Sequence, residues 1–137
     1  MGYNLGSRSR SNLIGVHPDI IKVVERAIQL TEQDFTVTEG VRSKARQRKL
    51  VNKGASKTMN SRHLTGHAVD LIPFPFHGDV DKDGVPNIED WDQYYPIAKA
   101  MKEAATELGV PLEWGGDWRS FKDGPHYQLP WAEYPKQ

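Results

Sequence analysis

Residues 68–72 read Ala-Val-Asp-Leu-Ile, an apolar run broken by one carboxylate and stopped by Pro73 and Pro75. A run of this kind predicts a buried strand, since proline cannot continue a hydrogen-bonded ladder. Asp70 inside it carries a large desolvation cost unless a metal ion or a cation offsets it. The chain must therefore fold so that Asp70 caps a turn, pairs with an arginine or meets a metal. There is no cysteine, so neither a disulfide nor a thiolate is available. Any metal site has to be assembled from His, Asp and Glu.

The rest of the pattern places this strand in an α+β fold. Pro18 suits a first helical turn, and Ile20, Val23, Val24, Ala27 and Ile28 recur at helical spacing, predicting a helix over residues 18–30. Phe35–Thr38 reads as a short strand. Ser43 caps a second helix through Arg46 to Val51, with Gly54 after its end. Pro96 opens a third, with Ile97, Met101, Ala104, Ala105 and Leu108 as its apolar face and Gly109 as its stop. Short strands are expected near Pro111–Trp114 and His126–Leu129. The sum is about three helices packed on a small, mostly antiparallel sheet.

A length of 137 residues suits a single domain over 1–137. Charged residues make up 26% of the chain and cancel to zero net charge. That excludes nucleic-acid binding through a general positive field. No apolar stretch is long enough to span a bilayer, and the N-terminal residues lack the apolar run of a signal peptide. The expectation is a soluble chain, monomeric, made in the cytosol and without stable membrane association.

Two segments carry chemistry. The first is Ser61-Arg-His63-Leu-Thr-Gly-His67-Ala-Val-Asp70, with His63 in a Ser/Thr/Gly-rich loop. The second is Trp114-Gly-Gly-Asp-Trp118-Arg-Ser-Phe121-Lys-Asp123-Gly-Pro-His126, dense in glycine and aromatics as a pocket wall would be. A lone histidine is more often a surface or hydrogen-bonded residue than a ligand. His63, Asp70 and His126 together form the two-imidazole, one-carboxylate set of catalytic zinc, with a fourth position left for water. Zinc with a single carboxylate keeps net positive charge and lowers the pKa of a bound water to about 7.

At these residues the chain resembles the phage L-alanyl-D-glutamate endopeptidases, endolysins of the zinc D,D-peptidase and hedgehog-like fold group. The shared pieces are Gly15-Val-His-Pro18, Asp34-Phe-Thr-Val-Thr-Glu-Gly-Val-Arg42, the S-x-H-x-x-G-x-A-x-D run from Ser61 to Asp70, and the W-G-G-D-W…F-x-D-x-x-H run from Trp114 to His126. The resemblance implies that His63, Asp70 and His126 bind Zn2+ and that Asp123 is the general base and acid. It implies hydrolysis of the L-alanyl-D-glutamate bond in peptidoglycan stem peptides, acting in the periplasm or cell wall during phage release. Access to the wall would then depend on a holin. Asp123 reads otherwise as a turn residue in Asp-Gly-Pro. His67 departs from the pattern, where a relative carries Asp, and is expected to point away from the metal.

The resemblance also places Arg42 in the substrate cleft, where a guanidinium grips a stem-peptide carboxylate; the other reading is a structural ion pair. Gln47 is expected to line the same cleft. Trp114, Trp118 and Phe121 read as core or pocket wall, with core the default.

Asp79, Asp81, Asp83, Asn87 and Asp90, with Gly84 at the sixth position, match an EF-hand-type loop, so Ca2+ is a second candidate ion. Pro86, the closing Asp and the lack of a preceding helix depart from that pattern, and a solvated acidic turn is the plain alternative. Two further readings compete with the endopeptidase. A D-alanyl-D-alanine carboxypeptidase or dipeptidase uses the same ligands and base and differs in its products. A non-catalytic zinc- or calcium-binding module would keep metal without turnover, and Asp123 speaks against it.

Overall fold

The computed structural model describes residues 2–54, 56, 59, 61–75, 92–119 and 122–135. Its helices are α1 (Ser7–Asn12), α2 (Pro18–Leu30), α3 (Lys44–Asn52) and α4 (Tyr95–Leu108), and its strands β1 (Phe35–Glu39), β2 (Ala68–Pro73), β3 (Glu113–Trp114) and β4 (His126–Gln128). The strands form one sheet in the order β1-β2-β4-β3, with every pairing antiparallel. The expected α+β architecture is observed.

The period of two along a strand divides the sheet into two faces. Phe35, Val37, Val69, Leu71, Trp114 and Tyr127 point to one side and join Ile20, Val23, Val24 and Ala27 of α2 and Ile97, Met101 and Ala104 of α4 in the core. Asp70, His126, Gln128 and Glu113 fall on the other side, with Asp70 directly opposite His126 and Gln128 directly opposite Glu113. An irregularity in β1 between Val37 and Glu39 sets Glu39 opposite Asp70. The extra residue of such a bulge re-aims the strand end.

The helix signals hold in detail. The His17 ring accepts the Asp19 amide at the start of α2, Ser43 accepts the Arg46 amide at the start of α3, and Gly109 takes φ 70° at the end of α4. Leu108 departs from the expected apolar face. It occupies the last turn of α4 and is exposed. Helix α1 was not foreseen, because Ser-Arg-Ser-Arg-Ser-Asn has no apolar period. Tertiary bonds fix it instead: Ser9 Oγ accepts the Val37 amide at 2.9 Å and Asn12 Nδ2 donates to the Val37 carbonyl at 2.8 Å. These bonds cap the outer side of β1, an edge strand that would otherwise present unpaired backbone.

Candidate metal centre

His63 lies on a single 3-10 turn, Arg62–Thr65, that leads into β2. Ser61 caps the turn by accepting the His63 amide, and Gly66 ends it at φ 78°. The left-handed cap lets the chain reverse directly into Ala68, which brings His63 back over Asp70. His63 Nε2 stands 3.1 Å from Asp70 Oδ1, and His126 Nδ1 stands 3.4 Å from the same oxygen. One donor atom from each of His63, Asp70 and His126 lies within 4.8 Å of the other two. The two imidazoles meet edge to face, 5.0 Å apart.

Each candidate histidine ligand is held from behind. His63 Nδ1 donates to the Gly40 carbonyl at 2.8 Å. His126 Nε2 donates to Gln128 Oε1 at 2.8 Å. With those positions tied up, His63 Nε2 and His126 Nδ1, the two nitrogens turned toward Asp70, are the ones that could offer lone pairs to an ion once the rings are neutral. The second Asp70 oxygen, Oδ2, lies 3.5 Å from Arg42 Nη2. Burial alone would raise the Asp70 pKa; the imidazoles, His63 foremost, outweigh it and hold the carboxyl well below its ordinary range. His126 is opposed by burial but raised by Asp70 and Asp123. The donor set and its convergence fit a divalent metal ion.

Asp123 stands at the edge of this triangle. Burial, and then the like charge of Asp70, push its carboxyl up to about 6, against the pull of His126, His63 and Arg42. Its amide donates to the Gly115 carbonyl at 3.0 Å, and the His126 amide donates to the Asp123 carbonyl at 3.2 Å. Gly115 is required at this spot. A Cβ there would lie 2.3 Å from the Asp123 carbonyl oxygen and 3.1 Å from His126 Cβ.

Other expected residues fall as follows. Arg42 is buried between acids: Nη2 pairs with Glu39 Oε1 at 2.5 Å and Nη1 donates to Gln47 Oε1 at 2.7 Å. Gln47 is fully buried behind it and donates to Ser56 Oγ. His67 faces away from the triangle, as expected, bonded to Thr65 Oγ1 and packed against His17 and Tyr134. Trp114 is core and stacks on Tyr127, with its Nε1 donating to the Gly124 carbonyl. Trp118 is half-buried and lies against the His126 ring at 5.1 Å. Phe121 and the whole Asp79–Asp90 loop, with Asp81, Asp83 and Asn87, lie outside the described residues.

Sequence reading missed Gly40, Gln128 and Glu113. The Gly40 contribution is a backbone carbonyl, which leaves no trace in residue type. Gln128 was within reach, because two residues beyond His126 on a strand is the same face.

A His-Asp-His triangle at an antiparallel sheet, its imidazoles buried and its carboxylate half-buried, with an acid of raised pKa beside it, defines a candidate metallohydrolase centre. The family model described as phage L-alanyl-D-glutamate peptidase matches residues 1–129, and the chain belongs to that family. The L-alanyl-D-glutamate peptidase of Escherichia phage T5 is 32% identical over 126 residues, covering 90% of this chain and 87% of the relative. The peptidoglycan L-alanyl-D-glutamate endopeptidase CwlK of Bacillus subtilis is 34% identical over 110 residues, covering 70% of this chain and 60% of its own. The crystal structure of Serratia marcescens L-Ala D-Glu endopeptidase ChiX aligns with a TM-score of 0.84 at 47% identity, covering 98% of this chain and 96% of that one.

Proposed function

We propose that the protein is a zinc-dependent endopeptidase that hydrolyses the L-alanyl-D-glutamate bond of peptidoglycan stem peptides. One observation carries the reading: two imidazole nitrogens and one carboxylate oxygen converge beside Asp123, in a chain of this family. His63 Nε2, Asp70 and His126 Nδ1 would hold the ion. When bound, it polarises the scissile carbonyl and makes water a competent nucleophile near neutral pH.

Asp123 supplies the proton chemistry. It takes a proton from the attacking water and delivers it to the departing amine nitrogen. Arg42 holds Asp70 from behind and offers positive charge to a stem-peptide carboxylate, with Gln47 steadying the guanidinium. Trp118 walls the site beside His126. Residues 1–137 act as one monomeric catalytic domain on the wall, and release through a holin-type membrane lesion fits its kinship with phage enzymes. Calcium on Asp79, Asp81, Asp83, Asn87 and Asp90 is a separate part of this reading; absence of calorimetric heat at millimolar calcium removes it.

The test is mass spectrometry of purified peptidoglycan digested with and without a chelator. Stem peptides newly beginning at D-glutamate, formed only without chelator, are expected. Release of free D-alanine alone would replace the endopeptidase with a carboxypeptidase. Unchanged digestion in chelator would end the metal mechanism.

A further inference from the structure

Both histidines of the triangle must present a bare nitrogen to the ion, yet they are held by different devices. His63 is fixed by a backbone carbonyl, that of Gly40. A carbonyl oxygen only accepts, so His63 Nδ1 has to carry the proton. His126 is fixed by a glutamine. A primary amide has one accepting end and one donating end, and can turn either toward the ring. A flipped Gln128 would present its NH2 to His126 Nε2. The ring would then accept there and carry its proton on Nδ1, the nitrogen aimed at Asp70.

The sheet supplies what prevents the flip. Glu113 of β3 stands opposite Gln128 of β4, and Gln128 Nε2 donates to Glu113 Oε1 at 3.0 Å. An ionised carboxylate can only accept. It claims the NH2 end of the amide and leaves Oε1 for His126. Gln128 and His126 are both more than nine-tenths buried, so water does not compete for these groups. Glu113 is exposed, and its charge keeps its hydration.

We infer that Glu113 and Gln128 form a positioning relay that sets the tautomer of His126 and so readies Nδ1 for the metal. Neither residue touches the reacting atoms. The relay rests on the metal reading given above, and it explains why a two-residue edge strand places a carboxylate behind a ligand.

The experiment measures zinc affinity by competition with a chromophoric chelator. Wild type is compared with Gln128→Leu, Glu113→Ala and the swap Gln128→Glu/Glu113→Gln. Loss of an outer-shell partner weakens metal binding by about 10- to 100-fold, and Gln128→Leu is expected in that range. Glu113→Ala frees the amide to turn and is expected to fall between Gln128→Leu and wild type. In the swap, the new carboxylate at position 128 accepts from His126 Nε2–H and from the new amide at position 113. Affinity should return toward wild type although both side chains have changed. A purely structural role predicts no such rescue. In the zinc-loaded protein the His126 Nε2–H proton should be visible by NMR and slow to exchange in wild type and the swap, and fast in Gln128→Leu. Thermal unfolding of each metal-free variant shows that it folds, and Glu113→Ala removes only an exposed side chain. Wild-type affinity in Gln128→Leu, or a swap as weak as Gln128→Leu, overturns the relay alone. A wild-type protein that binds no zinc ends the metal reading and the relay together.

Discussion

Burial and the Asp70 carboxylate push Asp123 up to about 6, from an ordinary 3.8. An acid with a raised folded pKa holds its proton more tightly folded than unfolded, so its ionisation opposes folding. In the metal-free protein that opposition is absent below pH 3.8, grows as pH rises, and is complete above about 6. A shift of two units corresponds to about 3 kcal/mol, and partial exposure of the side chain brings the expected effect to roughly 1–3 kcal/mol. Asp123→Asn should therefore unfold at a higher temperature than wild type near neutral pH, both without metal. The two melting curves should converge as pH falls toward the ordinary carboxylate range. The same variant should retain zinc and lose about 10²- to 10⁴-fold in turnover, the usual contribution of a positioned acid–base. Near-full activity would remove Asp123 from its role. Equal melting temperatures at all pH values would show that the carboxylate bears no strain. At this scale the candidate ligand Asp70 was legible in the sequence because it interrupts an apolar strand and so advertises its cost. Gly40 was not, because its contribution is a main-chain oxygen.

The elements show where periodicity informs and where it is silent. Helices α2 and α4 were readable because their buried residues recur every three or four positions. Helix α1 carries no such pattern and is held by two side chains bonded to Val37 of β1. Ser9→Ala leaves the Val37 amide without that partner. The expected cost is about 1–3 kcal/mol, read as a lower denaturant midpoint with an unchanged slope; an unchanged midpoint would mean that water or a shifted neighbour replaces the bond. The glycine pair after β3 answers to a different constraint. Gly115→Ala sets a methyl group 2.3 Å from the Asp123 carbonyl oxygen and 3.1 Å from His126 Cβ. Both elements have to move apart. A misplacement of about 1 Å can cost on the order of 100-fold in rate, so activity should drop far more than stability. A variant with wild-type turnover would show that the loop and β4 tolerate independent movement. The sequence hinted at this close approach through its paired glycines but gave no partner for them, because Asp123 and His126 reach Gly115 only after β4 has paired with β3.

Across the whole molecule, the triangle joins the 3-10 turn before β2, β2 itself and β4, with His63 and His126 lying 63 positions apart in the chain. An unfolded chain does not hold these three groups together, so an ion that binds them stabilises only the folded state. At a free metal concentration 100 times the dissociation constant the gain is about 2.7 kcal/mol, which for a domain of this size is a rise of roughly 10 °C in Tm. The effect must fall with pH in a defined direction. The imidazoles bind metal only when neutral, and Asp70 and Asp123 raise the His126 pKa against the opposing effect of burial. Protons therefore compete with the ion, and the difference in Tm between zinc-loaded and chelator-treated protein should shrink as pH drops through the histidine range. His126→Ala removes one ligand and should abolish most of that difference at every pH, while Gly6→Ala, whose added Cβ meets no atom within 4 Å, should leave it intact. If chelator lowered the Tm of His126→Ala as much as that of wild type, the stabilising ion would sit elsewhere in the chain, and the triangle would be a hydrogen-bonded cluster of the sheet.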